Sequence, residues 1–125
     1  MAVTILRTVR PSPVWQDSLI RLSKGQRVVL DVEETWSPDM RDQIAWCGAD
    51  GLYNLAAGAD YLLPGTNVGA LVGRVGSGPA FAIGSRCDFK ADRDGVLHLA
   101  MNENPDRNNQ AGKLLAQVIV FGDFA

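Results

Sequence analysis

Residues 92–102 read Asp92-Arg93-Asp94-Gly95-Val96-Leu97-His98-Leu99-Ala100-Met101-Asn102, and this stretch decides the fold. Asp-Gly supplies turn chemistry, and the residues after it alternate at period two. That is a half-buried strand entered from a tight hairpin turn. The pattern recurs outward. Residues 26–36 put Val28, Leu30 and Val32 on one face and Arg27, Asp31 and Glu33 on the other. Residues 113–121 (KLLAQVIVF) are long, apolar and rich in branched side chains, which suits a strand. Residues 69–75 (GALVGRV) and 80–83 (AFAI) are short strands, and residues 14–22 and 3–9 are weaker ones. Ser23-Lys24-Gly25 reads as a further tight hairpin turn. Thirteen glycines and six prolines run through the whole chain, which leaves little room for long helices. About seven to nine short strands joined by turns predict an all-β fold, an antiparallel β-sandwich.

A chain of 125 residues is one domain's worth, so residues 1–125 form a single unit. Hydrophobic residues at 46% and charged residues at 21% describe a soluble globular protein and exclude whole-chain disorder. The net charge of −2 argues against a phosphate-backbone binder, so no nucleic-acid partner is expected. No apolar run approaches the ~20 residues of a membrane span. Arg7 and Arg10 stand near the start without the apolar stretch of a secretory signal. The expectation is cytoplasmic residence, or export without a classical signal peptide. Cys47 and Cys87 form no CxxC pair, and one histidine cannot complete a zinc cluster. A Cys47–Cys87 bridge is open to them, and two buried thiols are the expectation for the cytoplasm.

Several motifs bear on chemistry. Gly73-Arg74-Val75-Gly76-Ser77-Gly78 is glycine-rich, but Pro79 and a strand follow it. A phosphate loop must open a helix, so a hairpin turn is the better reading. An EF-hand through Asp92 would need a carboxylate where Lys90 stands and Glu where Met101 stands. His98 sits mid-strand between leucines, with no GxSxG elbow in the chain, and reads as a packed strand histidine. Residues 37–66 form a long segment of little periodicity, a length that points to function. Trp36, Trp46, Tyr53 and Tyr61 lie in or beside it. They serve either to stack on the apolar face of a sugar or to seal the end of the sandwich. The most informative stretch is residues 102–110, where Asn102, Glu103, Asn104, Asp106, Asn108, Asn109 and Gln110 crowd oxygen atoms onto one loop. Such a loop suits calcium, a hard cation that takes six to eight oxygens. It equally suits hydrogen bonding to sugar hydroxyls, or a plain solvated turn.

At this point the chain resembles the bacterial PA-IL-type galactose lectins and their related carbohydrate-binding modules. The resemblance runs from about residue 15 to residue 122. It rests on Lys24-Gly25-Gln26 and Thr35-Trp36, then Gly48-Ala49-Asp50-Gly51, then Leu62-Leu63-Pro64-Gly65 and residues 69–76. It closes with Phe81-Ala82-Ile83-Gly84, residues 94–99, Asn102-Glu103, and Asn108-Asn109 ahead of Gly112. The resemblance implies a jelly-roll, galactose-binding-domain-like sandwich with calcium at one end bridging protein oxygens and sugar hydroxyls. Carried over residue by residue, Glu103 matches the family's aspartate and Asn108 and Asn109 its asparagine pair. Asp39 lies near the position that offers a backbone carbonyl. The chain departs from the pattern in four respects. Glu103 is one methylene longer than aspartate. Gln110-Ala111 moves the Asn pair one residue away from the closing glycine, so Asn109-Gln110 is an alternative register. The loop between Glu103 and the pair is shorter. The family's His and Gln sugar contacts are absent, and the matching region offers Asp60 and Tyr61.

The sequence therefore predicts a non-catalytic carbohydrate-binding domain. Calcium would be held by Glu103, Asn108 and Asn109 with Asn104, Asp106 and Asp39. A galactoside-like glycan would meet Glu103, Asn109, Asp60, Tyr61, Trp36, Trp46 and Tyr53. Weak single-site binding calls for several copies, so a homo-oligomer is expected. The alternative is a sandwich that has lost the sugar site and serves as a structural or protein-interaction subunit, with Leu62 and Leu63 as its contact patch. A carboxylate-pair hydrolase is a third reading.

Overall fold

A computed structural model of the chain describes residues 1–39 and 45–122. Two four-stranded antiparallel sheets face each other. The first has β1 (Ala2–Val9) at one edge, then β10 (Leu114–Phe121), β3 (Arg27–Glu33) and β7 (Arg86–Lys90). The second runs β2 (Gln16–Leu22), β8 (Gly95–Met101), β5 (Leu71–Val75), β6 (Phe81–Ala82). A small third sheet pairs β4 (Trp36–Ser37) with β9 (Ala111–Gly112). The antiparallel sandwich expected from the alternation is the fold observed.

Period two explains the core. Val28, Leu30 and Val32 of β3 and Leu114, Ala116, Val118 and Val120 of β10 point inward from the first sheet. Leu97, Leu99 and Met101 of β8, with Leu71 and Val75 of β5, meet them from the second. Gly73 interrupts this row because the core leaves it no room. A Cβ there would stand 2.6 Å from Ile83 Cδ1. Burying a Leu- or Val-sized side chain is worth about 1.5–3 kcal/mol, so this double row dominates the fold's stability.

Three sequence expectations change. Residues 23–25 and 92–95 do turn the chain, but neither makes a hairpin. β2 and β3 lie in different sheets, and so do β7 and β8. Both turns are arches over the same end of the sandwich, and they brace each other. The Lys24 backbone N–H donates to Asp94 (2.7 Å), and the Gly25 N–H donates to the Ala91 carbonyl (2.7 Å). A turn signal records local backbone bending, whereas the sheet a strand joins depends on its partners. Second, residues 26–36 do not form one strand. Glu34 takes φ 77° and separates β3 from β4. Third, β7 was missed. It is an edge strand with three exposed residues, and only Cys87 and Phe89 turn partly inward. The 73–78 turn is a hairpin as expected, since β5 and β6 pair. Cys47 and Cys87 are free thiols, the first buried and the second half-buried. Burial pushes the Cys47 thiol up to about 11.

Candidate functional site

The oxygen-rich loop begins where β8 leaves the sheet. Met101 still pairs with Leu71 and fills the core. Asn102, the next residue, is fully buried and polar. Its amide nitrogen donates to the carbonyls of Leu63 (2.9 Å), Thr66 (3.2 Å) and Asn67 (3.2 Å), and its Oδ1 accepts from the Leu63 N–H (2.9 Å). A buried amide of this kind must be satisfied on all sides. Here the long 45–70 segment provides every partner, so Asn102 fastens that segment to the end of β8. Its role was not legible from composition, where it counted only as one more oxygen.

Glu103 is 3% exposed. Its Oε1 accepts the Asn104 N–H at 2.8 Å, and its carboxylate also bonds the Gln110 side chain. Burial holds its pKa above the usual 4.5, and the nearby Asp39 carboxylate pushes in the same direction. The Asn104 N–H, Arg107 and Gln110 pull it back. The loop between is a tight turn. Asn104 Oδ1 accepts the Asp106 N–H (2.9 Å), the Arg107 N–H donates to the Asn104 carbonyl (2.9 Å), and Gln110 Nε2 donates to the Arg107 carbonyl (3.0 Å). Asn104 therefore shapes the turn with the oxygen assigned to a metal. Asn108 and Asp106 are exposed, and Asn109 and Gln110 are half-buried.

β4 and β9 bring the far side of the site into place. Trp36 pairs with Gly112 and Ser37 with Ala111. The chain then reaches Asp39, whose N–H donates to Ser37 Oγ (3.2 Å). This small sheet pairs segments more than 70 positions apart, which no sequence pattern reveals. Gly112 makes it possible. It takes φ 85°, and a Cβ there would lie 2.8 Å from the Thr35 carbonyl, Trp36 Cα and Trp46 Cζ3. Trp46, 44% exposed, thus packs over the strand that closes the loop. Among the described residues no group of three or more His, Cys, Asp and Glu side chains converges. Any cation here would need the Asn and Gln amides as well.

The aromatic residues are sorted by burial. Trp36 is a correction: it is fully buried, with Nε1 donating to the Gly69 carbonyl (2.7 Å). A side chain with no exposed face has none for a sugar, so Trp36 seals the end of the sandwich. Trp46 is exposed and placed against the strand that closes the loop. Tyr53 is 89% exposed on the turn that follows Asp50. Asp60 is exposed and Tyr61 half-buried in the turn leading to Leu63, which Asn102 holds. Leu62 and Leu63 are half-buried too, so they are not the exposed patch that an interaction surface would need. Asp50 was not singled out as a site residue, yet it is a structural tie. Its two oxygens accept from the Ser85 N–H and hydroxyl, both at 2.8 Å. Residues 40–44 of the long segment lie outside the described residues.

No protein-family model matches the sequence, and no curated protein does. Among solved structures, the N-terminal domain of EclA, described as a PllA-like lectin, superposes with a TM-score of 0.73. The match covers 93% of this chain and 95% of that one at 13% sequence identity. The chain therefore has the β-sandwich fold of that PllA-like lectin domain.

Proposed function

We propose that this chain is a carbohydrate-binding domain whose site is the loop end built by Glu103, Asp39 and residues 104–110. The single observation that supports this reading is the buried Glu103 carboxylate at the base of the oxygen-rich loop, within electrostatic reach of Asp39. Burial and the field of Asp39 both disfavour the ionised Glu103 carboxylate, and a hard cation relieves both costs. The donor set fits calcium: Glu103 and Asp39 carboxylates, with amide oxygens from Asn108 and Asn109 and main-chain carbonyls of the loop. Calcium held there would supply coordination positions for sugar hydroxyls. Trp46, beside Gly112, would give the apolar face of the sugar a surface to stack on. The lectin description of the superposed EclA domain supports the same reading, and galactoside-like glycans are the ligands we expect. One such site binds weakly, so several copies acting together would raise avidity.

The test is a melting curve in EDTA, in excess calcium, and in calcium with a panel of simple sugars. Selective binding to the folded state raises the melting temperature. We expect calcium to raise it, one sugar to raise it further, and Glu103→Ala and Asn109→Ala to abolish both shifts. Indifference to calcium at several millimolar would overturn the calcium site. Arg107, which already acts on Glu103, favours a second reading, in which the loop closes on itself and the sandwich serves as an assembly subunit. In that case neither calcium nor sugars would move the melt.

A further inference from the structure

The long side of the sandwich where β1 and β2 lie at the edges of their sheets holds a separate polar cleft. It encloses about 180 Å³ and is lined by Arg7, Thr8, Arg10, Gln16, Asp17 and Ser18. Arg7 is half-buried and clamped by neutral groups. Its Nε donates to the Ser18 carbonyl (2.6 Å) and its Nη1 to the Leu6 carbonyl (2.9 Å). Nη2 makes no hydrogen bond among the described residues, and no carboxylate pairs with the guanidinium. The other wall is also fixed. Gln16 Oε1 accepts the Arg10 N–H and Gln16 Nε2 donates to the Arg10 carbonyl, both at 2.9 Å. The carboxylate in the cleft, Asp17, accepts the Leu19 N–H at 2.7 Å.

We propose that this cleft binds a tetrahedral oxyanion, phosphate or sulfate, between Arg7 and Arg10. The half-buried Arg7 guanidinium has no ion-pair partner among the described residues, because Asp17, the carboxylate of the cleft, bonds the Leu19 N–H instead, and an oxyanion would supply the missing partner. Carbonyl clamps on Arg7 hold its planar fork in advance, so little side-chain entropy is lost on binding. The volume suits a single oxyanion with its waters. Nothing in this cleft uses Glu103 or calcium, so the proposal stands or falls independently of the sugar reading.

The full chain, kept in EDTA, is titrated with sodium phosphate, sodium sulfate, glucose 6-phosphate and glucose at ionic strength held constant with sodium chloride. Backbone and arginine side-chain NMR signals report the site. Saturable shifts at Arg7, Thr8, Arg10 and Gln16 with phosphate or sulfate are expected. Glucose 6-phosphate shifting them more strongly than inorganic phosphate would assign the oxyanion to an ester. Arg10 is exposed, so Arg10→Gln should fold, and it is expected to weaken binding about tenfold. Arg93→Gln, a surface arginine elsewhere, should leave it unchanged. Shifts that follow chloride alone, shifts with neutral glucose, or full binding by Arg10→Gln would each overturn the proposal.

Discussion

Glu103 and Asn102 are adjacent, both buried, and opposite in consequence. Asn102 is satisfied by four hydrogen bonds to the long segment. Asn102→Ala leaves those backbone groups without partners, at a cost of about 3 kcal/mol. For a domain of this size that lowers the melting temperature by roughly 10 °C; a shift under about 2 °C would show that water replaces the amide. Glu103, by contrast, is held with its pKa above 4.5, chiefly by burial. The folded chain therefore binds that proton more tightly than the unfolded chain does. Its contribution is fully present below the unfolded pKa and is lost as pH rises through the folded one. In EDTA, stability should thus fall as pH climbs from about 4 through the raised value, and Glu103→Gln should flatten that part of the profile. Saturating calcium should remove the fall in the native chain, because the ion favours the ionised carboxylate. A profile identical with and without calcium would contradict the assignment of Glu103 to the ion.

The decisive element is the smallest. β4 and β9 contribute two residues each, yet their pairing joins the segment that leads to Asp39 to the strand that closes the oxygen-rich loop. Gly112→Ala adds a Cβ against backbone, which cannot move aside as a side chain would, and does so at a positive φ. We expect a loss of about 2 kcal/mol together with a weakened calcium response. A full calcium response in Gly112→Ala would show that the loop holds its shape without β9. The outer strands show another element-scale constraint. β1 is an open edge, and Arg7 caps its Leu6 carbonyl. β2, the other edge on that side, slips register between Asp17 and Arg21, with Leu19 at φ 60°. A bulged strand and a capped carbonyl both discourage edge-to-edge pairing with another chain.

The molecule as a whole rests on one core shared by both sheets, from Val28 and Val118 on one side to Leu97 and Leu71 on the other. The two arches at residues 23–25 and 92–95 tie the sheets at one end, and the Asn102 fastening ties the long segment at the other. A single core of this size unfolds cooperatively. We expect one calorimetric transition, which calcium moves as a unit; a separate low-temperature transition of the long segment would show that it is not part of that core. The loop site and the Arg7–Arg10 cleft sit on the same rigid sandwich but use different residues. Their ligands should therefore bind independently, with additive effects on the melt.

The class of fold was legible in residues 92–102, 26–36 and 113–121 because alternation is a local consequence of side chains pointing to opposite faces of a strand. The loop of residues 102–110 stood out for the same kind of reason, since its donors lie side by side in the chain. What the sequence could not settle was everything that depends on distant partners. The two arches look like hairpins until the strands on either side choose different sheets. Trp36 has the composition of a sugar-stacking residue until the core encloses it. Asn102 is one asparagine among several until the long segment folds over it. Asp39 comes within electrostatic reach of Glu103 with the help of a two-residue strand pair that has no periodicity to read. These are contacts between segments far apart in sequence, fixed by packing and backbone hydrogen bonding across the closed sandwich, and only the tertiary structure decides them.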